Sequence, residues 1–129
     1  MPLKRPLCTP SHYREMWDRK PALRAVYSDI YRHLLEKTRP GLVLEVGGGS
    51  GNFKGHAPSS ISTDIAFAPW LDAVCDAQRL PFADGSFANV VMVDVLHHIE
   101  SPLTALREIT RVLISGGRFI MCEPGITDH

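Results

Sequence analysis

The sequence predicts an α/β domain built on a mainly parallel sheet of about five strands, with helices ahead of it. Three observations carry this expectation. Residues 42–46 (LVLEV) form a short β-branched apolar run that ends in GGGSG, the pattern of a buried parallel strand feeding a tight turn. Residues 89–95 (NVVMVDV) are apolar on both faces until Asp94, as a strand covered from both sides must be. Helical patterns lie ahead of and between such runs, and this alternation specifies parallel pairing through crossovers.

Each element has its own local reason. Three prolines fall in the first ten residues, which are expected to lack regular structure. Ser11–Lys20 reads as a short helix. A longer helix starts at Pro21, a residue suited to a first helical position. Its apolar face is Leu23, Val26, Tyr27, Ile30, Tyr31, Leu34 and Leu35, with Arg24, Arg32, Glu36 and Lys37 off it, and Pro40-Gly41 is expected to end it. Strands follow at 42–46, 60–65, 73–75 and 89–95. Residues 52–59 and 66–72, between the first three strands, are too short for full crossover helices and should hold single turns or irregular loops. Ser101-Pro102 marks a helix start, with serine as cap and proline first inside. Leu103, Leu106, Ile109, Val112 and Leu113 supply that helix's apolar stripe. Ser115-Gly116-Gly117 is expected to stop it, and Arg118–Cys122 to form the fifth strand.

Composition narrows the function classes. The chain has 129 residues, 44% hydrophobic and 22% charged, which is one globular domain's worth and not a disordered composition. Fourteen Lys+Arg balance fourteen Asp+Glu, so a nucleic-acid surface spread over the whole protein is not expected. The balance is uneven along the chain. Residues 1–39 hold nine Lys+Arg against four Asp+Glu, and the rest hold five against ten. A basic N-terminal segment (1–40) therefore precedes the α/β unit (41–129). The segment is a solvated helix face or a surface for an acidic partner. No run of about 18 apolar residues exists, so no membrane span is expected. The basic start lacks the apolar stretch of a secretory signal. Cys8, Cys75 and Cys122 are odd in number and form no CxxC, which favours reduced thiols in a cytoplasmic setting. Cys75 and Cys122 read as buried free thiols, and no metal site is expected.

Chemistry concentrates where the first strand ends. Gly47, Gly48, Gly49 and Gly51 leave backbone open to a ligand and supply positive φ for the turn. In a doubly wound, Rossmann-like sheet this loop lies at the carboxyl edge, beside the point where strand order reverses and nucleotides bind. The glycines fit GxGxG; the GxGxxG register of a dinucleotide loop would need glycine at Asn52. Asp64 ends the second strand and can accept from both hydroxyls of a ribose. Asp76 ends the third and can accept from an adenine amino group; pairing with Arg79 is the structural alternative. Glu45 should be buried, accepting from backbone N–H groups or a helical residue, or orienting a ligand's amino end. His97-His98 follow the fourth strand. His98 is a weak candidate general base, against a turn position packing beside the pocket. Tyr13, Trp17, Tyr27 and Tyr31 read as core packing in preference to a lid.

With LEVGGGSG, STDIA, CDAQRLPFADGSFANVVMVDVLHHIESP and LREITRVLISGGRFIMCEP, over residues 42–124, the chain resembles a class I S-adenosylmethionine-dependent methyltransferase of the broad type 11 group. The resemblance implies S-adenosylmethionine as cofactor, with S-adenosylhomocysteine as its product form. It implies that Glu45, Gly47, Gly48, Gly49 and Gly51 hold the methionine part and that Asp64, with Ile65, holds ribose. It places Asp76, Ala77 and Gln78 beside adenine, and Asp94 and Val95 on the methionine side. The family's DGSFD reads DGSFA here, with Ala88 last; that aspartate packs structurally. The family fold has seven strands in the order 3-2-1-4-5-7-6, and strands six and seven have no residues in this sequence, so an incomplete fold is expected. The function implied is methyl transfer to a small-molecule acceptor. A cofactor-binding remnant without activity is the alternative, and an NAD-dependent oxidoreductase, disfavoured by the GxGxG register, is the third.

The fifth strand then carries an edge of unpaired backbone groups, and such edges seek a partner. This edge is expected to pair with another copy of the chain or to be covered by the N-terminal segment. A monomer whose 118–122 amides exchange freely in a hydrogen-exchange measurement would contradict that expectation.

Overall fold

The computed structural model describes residues 10–123, apart from the side chains of Pro10 and Tyr13. Residues 1–9, with Cys8, lie outside the described residues, as does the side chain of Tyr13. Two helices lead the chain, α1 (Pro10–Arg19) and α2 (Pro21–Glu36). Pro21 stands at the start of α2, where a missing N–H costs nothing. Arg24 fixes the bend between the helices by donating from Nη1 to the carbonyls of Trp17 and Asp18, both at 2.8 Å. α2 stops at Glu36, before Pro40-Gly41. The backbone N–H groups of Lys37 and Thr38 bond back to Leu34 and Leu35, and the Thr38 hydroxyl donates to the Leu35 carbonyl at 2.7 Å.

The sheet comprises β1 (Val43–Val46), β2 (Ile61–Asp64), β3 (Ala73–Val74), β4 (Phe87–Val93) and β5 (Leu113–Cys122). Its order is β3-β2-β1-β4-β5, and every neighbouring pair is parallel. This is the expected α/β, Rossmann-like sheet. The β1–β2 crossover holds a single 3-10 turn, Phe53–Gly55, and the β2–β3 crossover holds no helix. Another 3-10 turn, Leu96–His98, follows β4, and helix α3 (Pro102–Val112) links it to β5. Ser101 caps α3, its side chain accepting from the Thr104 N–H.

Alternation along the strands divides the core in two. Leu44, Val46, Val90 and Met92 pack toward α3, with Ala105, Ile109 and Val112. Val91 packs toward α2, with Tyr31, Leu34 and Phe53, and Val43, Val93 and Ile120 lie alongside. Both faces are covered, which is why β4 reads as a continuous apolar run. Trp17 and Tyr27 pack partly buried against the α2-side cluster. Two stripe residues prove exposed, Val26 and Leu103; each lies at the margin of its helix's apolar face, and Ala105 takes the buried place in α3.

The end of α3 differs from expectation. Ser115-Gly116-Gly117 does not stop the helix, which ends at Val112, and the chain enters β5 at once. Phe87 pairs with Leu113 and Asn89 with Arg118, so residues 114–117 bulge opposite Ala88. Gly116 takes φ +78° within that bulge, and its carbonyl accepts from Arg39 Nη1 at 2.8 Å. The glycines thus serve a bulge, a common use of left-handed backbone in strands. Ala88 packs on Gly41, where an added Cβ would lie 2.4 Å from its own. Cys75 and Cys122 are free and partly buried, where full burial is the sequence expectation; both lie at strand ends that one layer covers. Burial pushes both thiols up. Among the described residues β5 pairs with β4 alone, and no helix is long and apolar enough to cross a membrane.

Asn89 is fully buried in β4. Its Oδ1 accepts from the Arg39 N–H at 2.9 Å and its Nδ2 donates to the Arg39 carbonyl at 2.8 Å, so one side chain satisfies both polar groups of the segment entering β1. Removing it strands two part-buried backbone groups. Asn89→Ala should lower unfolding free energy by about 1–3 kcal/mol, measured by urea denaturation; a loss within error would mean that the Arg39 backbone finds other partners.

Candidate functional site

Parallel pairing on both sides of β1 brings the carboxyl ends of β1, β2, β3 and β4 to one edge. The loop 47–51 crosses it. Gly47, Gly49 and Gly51 take φ of +80°, +46° and +79°, a region costly for residues with a Cβ. A Cβ on Gly47 would lie 2.3 Å from Val95 Cγ2, and one on Gly51 would lie 2.6 Å from Trp70 Cδ1. Gly48 has no such φ but is equally confined: a Cβ there would meet Ser62 Oγ at 2.4 Å. Gly48 N–H donates to the Thr63 carbonyl at 2.6 Å, extending the β1–β2 contact into the loop.

The acids meet this loop from neighbouring strands. Asp64, last in β2, accepts the Gly49 N–H on Oδ2 at 2.8 Å and the Ala66 N–H on Oδ1 at 2.9 Å. Each oxygen keeps a further lone pair, so the carboxylate retains capacity for a ligand. Ile65, beside it, is exposed. Asp94 follows β4 with φ +56°, the one non-glycine positive φ among the described residues, and its Oδ2 accepts from the Tyr27 hydroxyl at 2.8 Å. Val95 lies against Gly47. Asp76 accepts from the Gln78 N–H at 2.9 Å and has no ion pair with Arg79 among the described residues. Gln78 in turn accepts the Ser101 N–H on Oε1 at 3.0 Å. Ala77 is buried in the α3-side core, so its contribution to this edge is backbone. His98 is exposed in the 3-10 turn, its ring centroid 3.8 Å from that of His97.

Glu45 is buried in β1 at 6% exposure, directly under the loop. Its Oε1 accepts from Ser62 Oγ at 2.8 Å and would lie 2.7 Å from a Cβ on Gly48. Burial pushes its pKa up to about 7, the Ser62 hydrogen bond opposing this in part. Its partner is neither the backbone N–H nor the helical residue expected from sequence but a hydroxyl from β2, because the β1–β2 register sets Glu45 opposite Ser62. A buried carboxyl beneath this loop is chemically suited to a cationic group above it.

Three participants escape sequence reasoning. Trp70 donates from Nε1 to the Gly49 carbonyl at 2.8 Å, so the loop is held on both its N–H and C=O sides. Tyr27, expected from sequence in the core in preference to a lid, reaches Asp94 across the molecule. Glu123 accepts from the N–H groups of Val95, Leu96 and His97 and bonds His97 Nδ1 at 2.7 Å. Burial opposes its charge, but these hydrogen bonds prevail and hold the carboxyl below the usual range. None has a local sequence signal, since each acts across a long sequence separation. Among the described residues no group of three or more His, Cys, Asp or Glu could hold a metal ion.

Comparison with known proteins gives a consistent result. Residues 44–121 match the family described as "Methyltransferase domain". The chain is 30% identical over 105 residues to "Probable tRNA methyltransferase 9B" of Homo sapiens, covering 70% of this chain and 23% of that protein. It is 41% identical over 56 residues to a demethylmenaquinone methyltransferase of Streptomyces griseus, covering 43% and 24% respectively. The chain thus spans about a quarter of the length of these curated relatives. Among solved structures, a SAM-dependent methyltransferase from Thermotoga maritima, described as a possible histamine N-methyltransferase, superposes with a TM-score of 0.73 at 25% identity. That match covers 83% of this chain and 55% of the other.

The buried Glu45 makes stability pH-dependent. Its folded pKa, about 7, lies above its ordinary 4.5, so its contribution is fully present below about pH 4.5 and is lost as pH rises through about 7. Glu45→Gln has no proton to lose. Its Tm relative to wild type should therefore rise between pH 5 and pH 8, by an amount equivalent to on the order of 3 kcal/mol. A pH-independent difference would place Glu45's charge in a solvated setting.

Proposed function

The chain belongs to the methyltransferase-domain family, with the class I S-adenosylmethionine-dependent fold, and from this we propose that it binds S-adenosylmethionine at the carboxyl edge of its sheet and transfers the methyl group to a small-molecule acceptor. One observation carries the reading: the glycine loop, Asp64, Asp76 and the Asp94–Val95 turn stand together at the ends of four adjacent parallel strands.

The residues present fit such a cofactor. Gly47, Gly48, Gly49 and Gly51 expose a loop that side chains would obstruct or strain. Asp64 is anchored to that loop and keeps lone pairs for ribose hydroxyls. Asp76, oriented by Gln78, serves the adenine side. Asp94, fixed by Tyr27, and Glu45 below the loop supply negative charge toward the amino-acid end. When bound, the cofactor supplies an electrophilic methyl on a sulfonium. The chain's own work is then to orient it, exclude water and admit the acceptor in line, which needs no catalytic triad. His98, exposed beyond Val95, is the base candidate for an acceptor protonated at the working pH. The balanced net charge supports a small acceptor over a nucleic-acid surface spread over the protein.

Calorimetric titration with S-adenosylhomocysteine, S-adenosylmethionine and NAD tests the reading. Both adenosyl ligands should bind and NAD should not; a folded chain that binds neither adenosyl ligand overturns it. Asp64→Asn should weaken S-adenosylhomocysteine binding by about 1–3 kcal/mol, and normal affinity in the folded variant withdraws the ribose assignment. Gly49→Val should eliminate measurable binding while far-ultraviolet circular dichroism keeps its wild-type shape.

A further inference from the structure

A cavity of about 470 Å³ opens beside the glycine loop, on the side where α1 and the Phe53–Gly55 turn approach it. Its wall includes Gly51, Trp17, Trp70, Arg14, Lys54 and His56. The size is that of a small-molecule site. Its composition contrasts with the strand-end edge, which carries Glu45, Asp64, Asp76 and Asp94.

Both aromatic walls are held from behind. Trp70 is fixed by its bond to the Gly49 carbonyl, and Trp17 stacks on Tyr31 with centroids 6.2 Å apart. Their flat rings suit a planar ligand, with the Arg14 guanidinium set over the Trp70 ring. The charges differ in availability. Lys54 is paired with Asp72, whose carboxyl that bond holds below its usual range. Arg14 lies with its guanidinium carbon 4.2 Å from the centre of the Trp70 ring. Among the described residues no carboxylate pairs with it. A guanidinium stacked on an indole keeps its N–H edge free to bind a carboxylate or phosphate in a two-pronged fashion.

We infer that this cavity binds the methyl acceptor, and that the acceptor is a planar ring carrying a carboxylate or phosphate. The inference rests on the methyltransferase reading. The acidic strand ends suit the positive sulfonium and ammonium of the cofactor, whereas the Arg14 cavity suits a negative ligand, and Gly51 borders both. The basic bias of the N-terminal segment acquires a role in this way: α1 delivers Arg14 to the pocket. The cofactor's own carboxylate has the same chemistry, and competition separates the two sources.

The chain holds two tryptophans, and both line the cavity, so the indole N–H resonances of ¹⁵N-labelled protein report on it directly. Benzoate and phenyl phosphate should shift both resonances saturably, and benzamide should bind roughly tenfold more weakly. Arg14→Gln should weaken both anions by a similar factor. In the wild type, raising ionic strength from about 0.05 M to about 0.5 M should weaken the anions and leave benzamide unchanged. Shifts that persist with saturating S-adenosylhomocysteine support the acceptor site; shifts abolished by it assign the cavity to the cofactor and overturn the inference. Silent resonances, or equal binding of benzamide, also overturn it. Calorimetry with S-adenosylhomocysteine on the same sample keeps the two readings apart. Normal binding with silent resonances rejects the cavity alone, and no binding rejects the methyltransferase reading on which the acceptor assignment depends.

Discussion

Between β1 and the turn that follows it, the backbone must reverse its course without side chains and still be held in place. Positive φ at Gly47, Gly49 and Gly51 allows the first, and a loop of glycines left alone would pay for that freedom in entropy. Four contacts supply the restraint. Gly48 bonds the end of β2, Asp64 takes the Gly49 N–H, Trp70 donates to the Gly49 carbonyl, and Val95 closes on Gly47. The loop is therefore ordered by the strand ends around it, and the strand ends are oriented toward it.

The same economy of polar groups recurs through the sheet. Asn89 satisfies both backbone groups of Arg39. Glu123 gathers three N–H groups from the turn after β4 and positions His97. Arg111 ties α3 to the loop before β4 through Glu108, Asp84 and the carbonyls of Leu80 and Phe82. Glu108 also accepts the Leu80 N–H, and its pairing with Arg111 holds its carboxyl below the usual range. Unpaired buried groups are costly in so thin a layer, and irregular segments are held by side chains from distant elements; among the described residues the Arg39 Nε is buried without a partner.

Glu45 departs from this settled state through its charge. Buried beneath the loop with a hydroxyl for partner, it sits near neutrality. A core carboxyl of this kind is a cost to the fold that a cationic ligand offsets. The α2 side makes a complementary contribution. Tyr27 and Tyr31 lie on one helix face, Tyr31 within the core and Tyr27 at Asp94, so a single helix both covers the sheet and restrains a strand end in a left-handed conformation.

Strands β1 and β4, the capped start of α3, the absent crossover helices and the glycine loop with its acids are written in local pattern: β-branched runs, a Ser-Pro cap, short spacings and clustered glycines. Such signals act within a few residues, so the sequence by itself determined the parallel α/β sheet and the edge where the glycine loop and the acids gather. Its errors lie where a residue's fate depends on what arrives from elsewhere. Val26 and Leu103 sit on apolar stripes but outside the covered zone, and Ser115–Gly117 form a bulge because β4 pairs with β5 on both sides of it. The bonds from Trp70 to Gly49, Tyr27 to Asp94 and Glu123 to the 95–97 backbone span 21, 67 and 26–28 residues. Only the tertiary structure decided these, because a hydrogen bond between remote segments exists once packing has brought them within about 3 Å, and no local propensity encodes that approach.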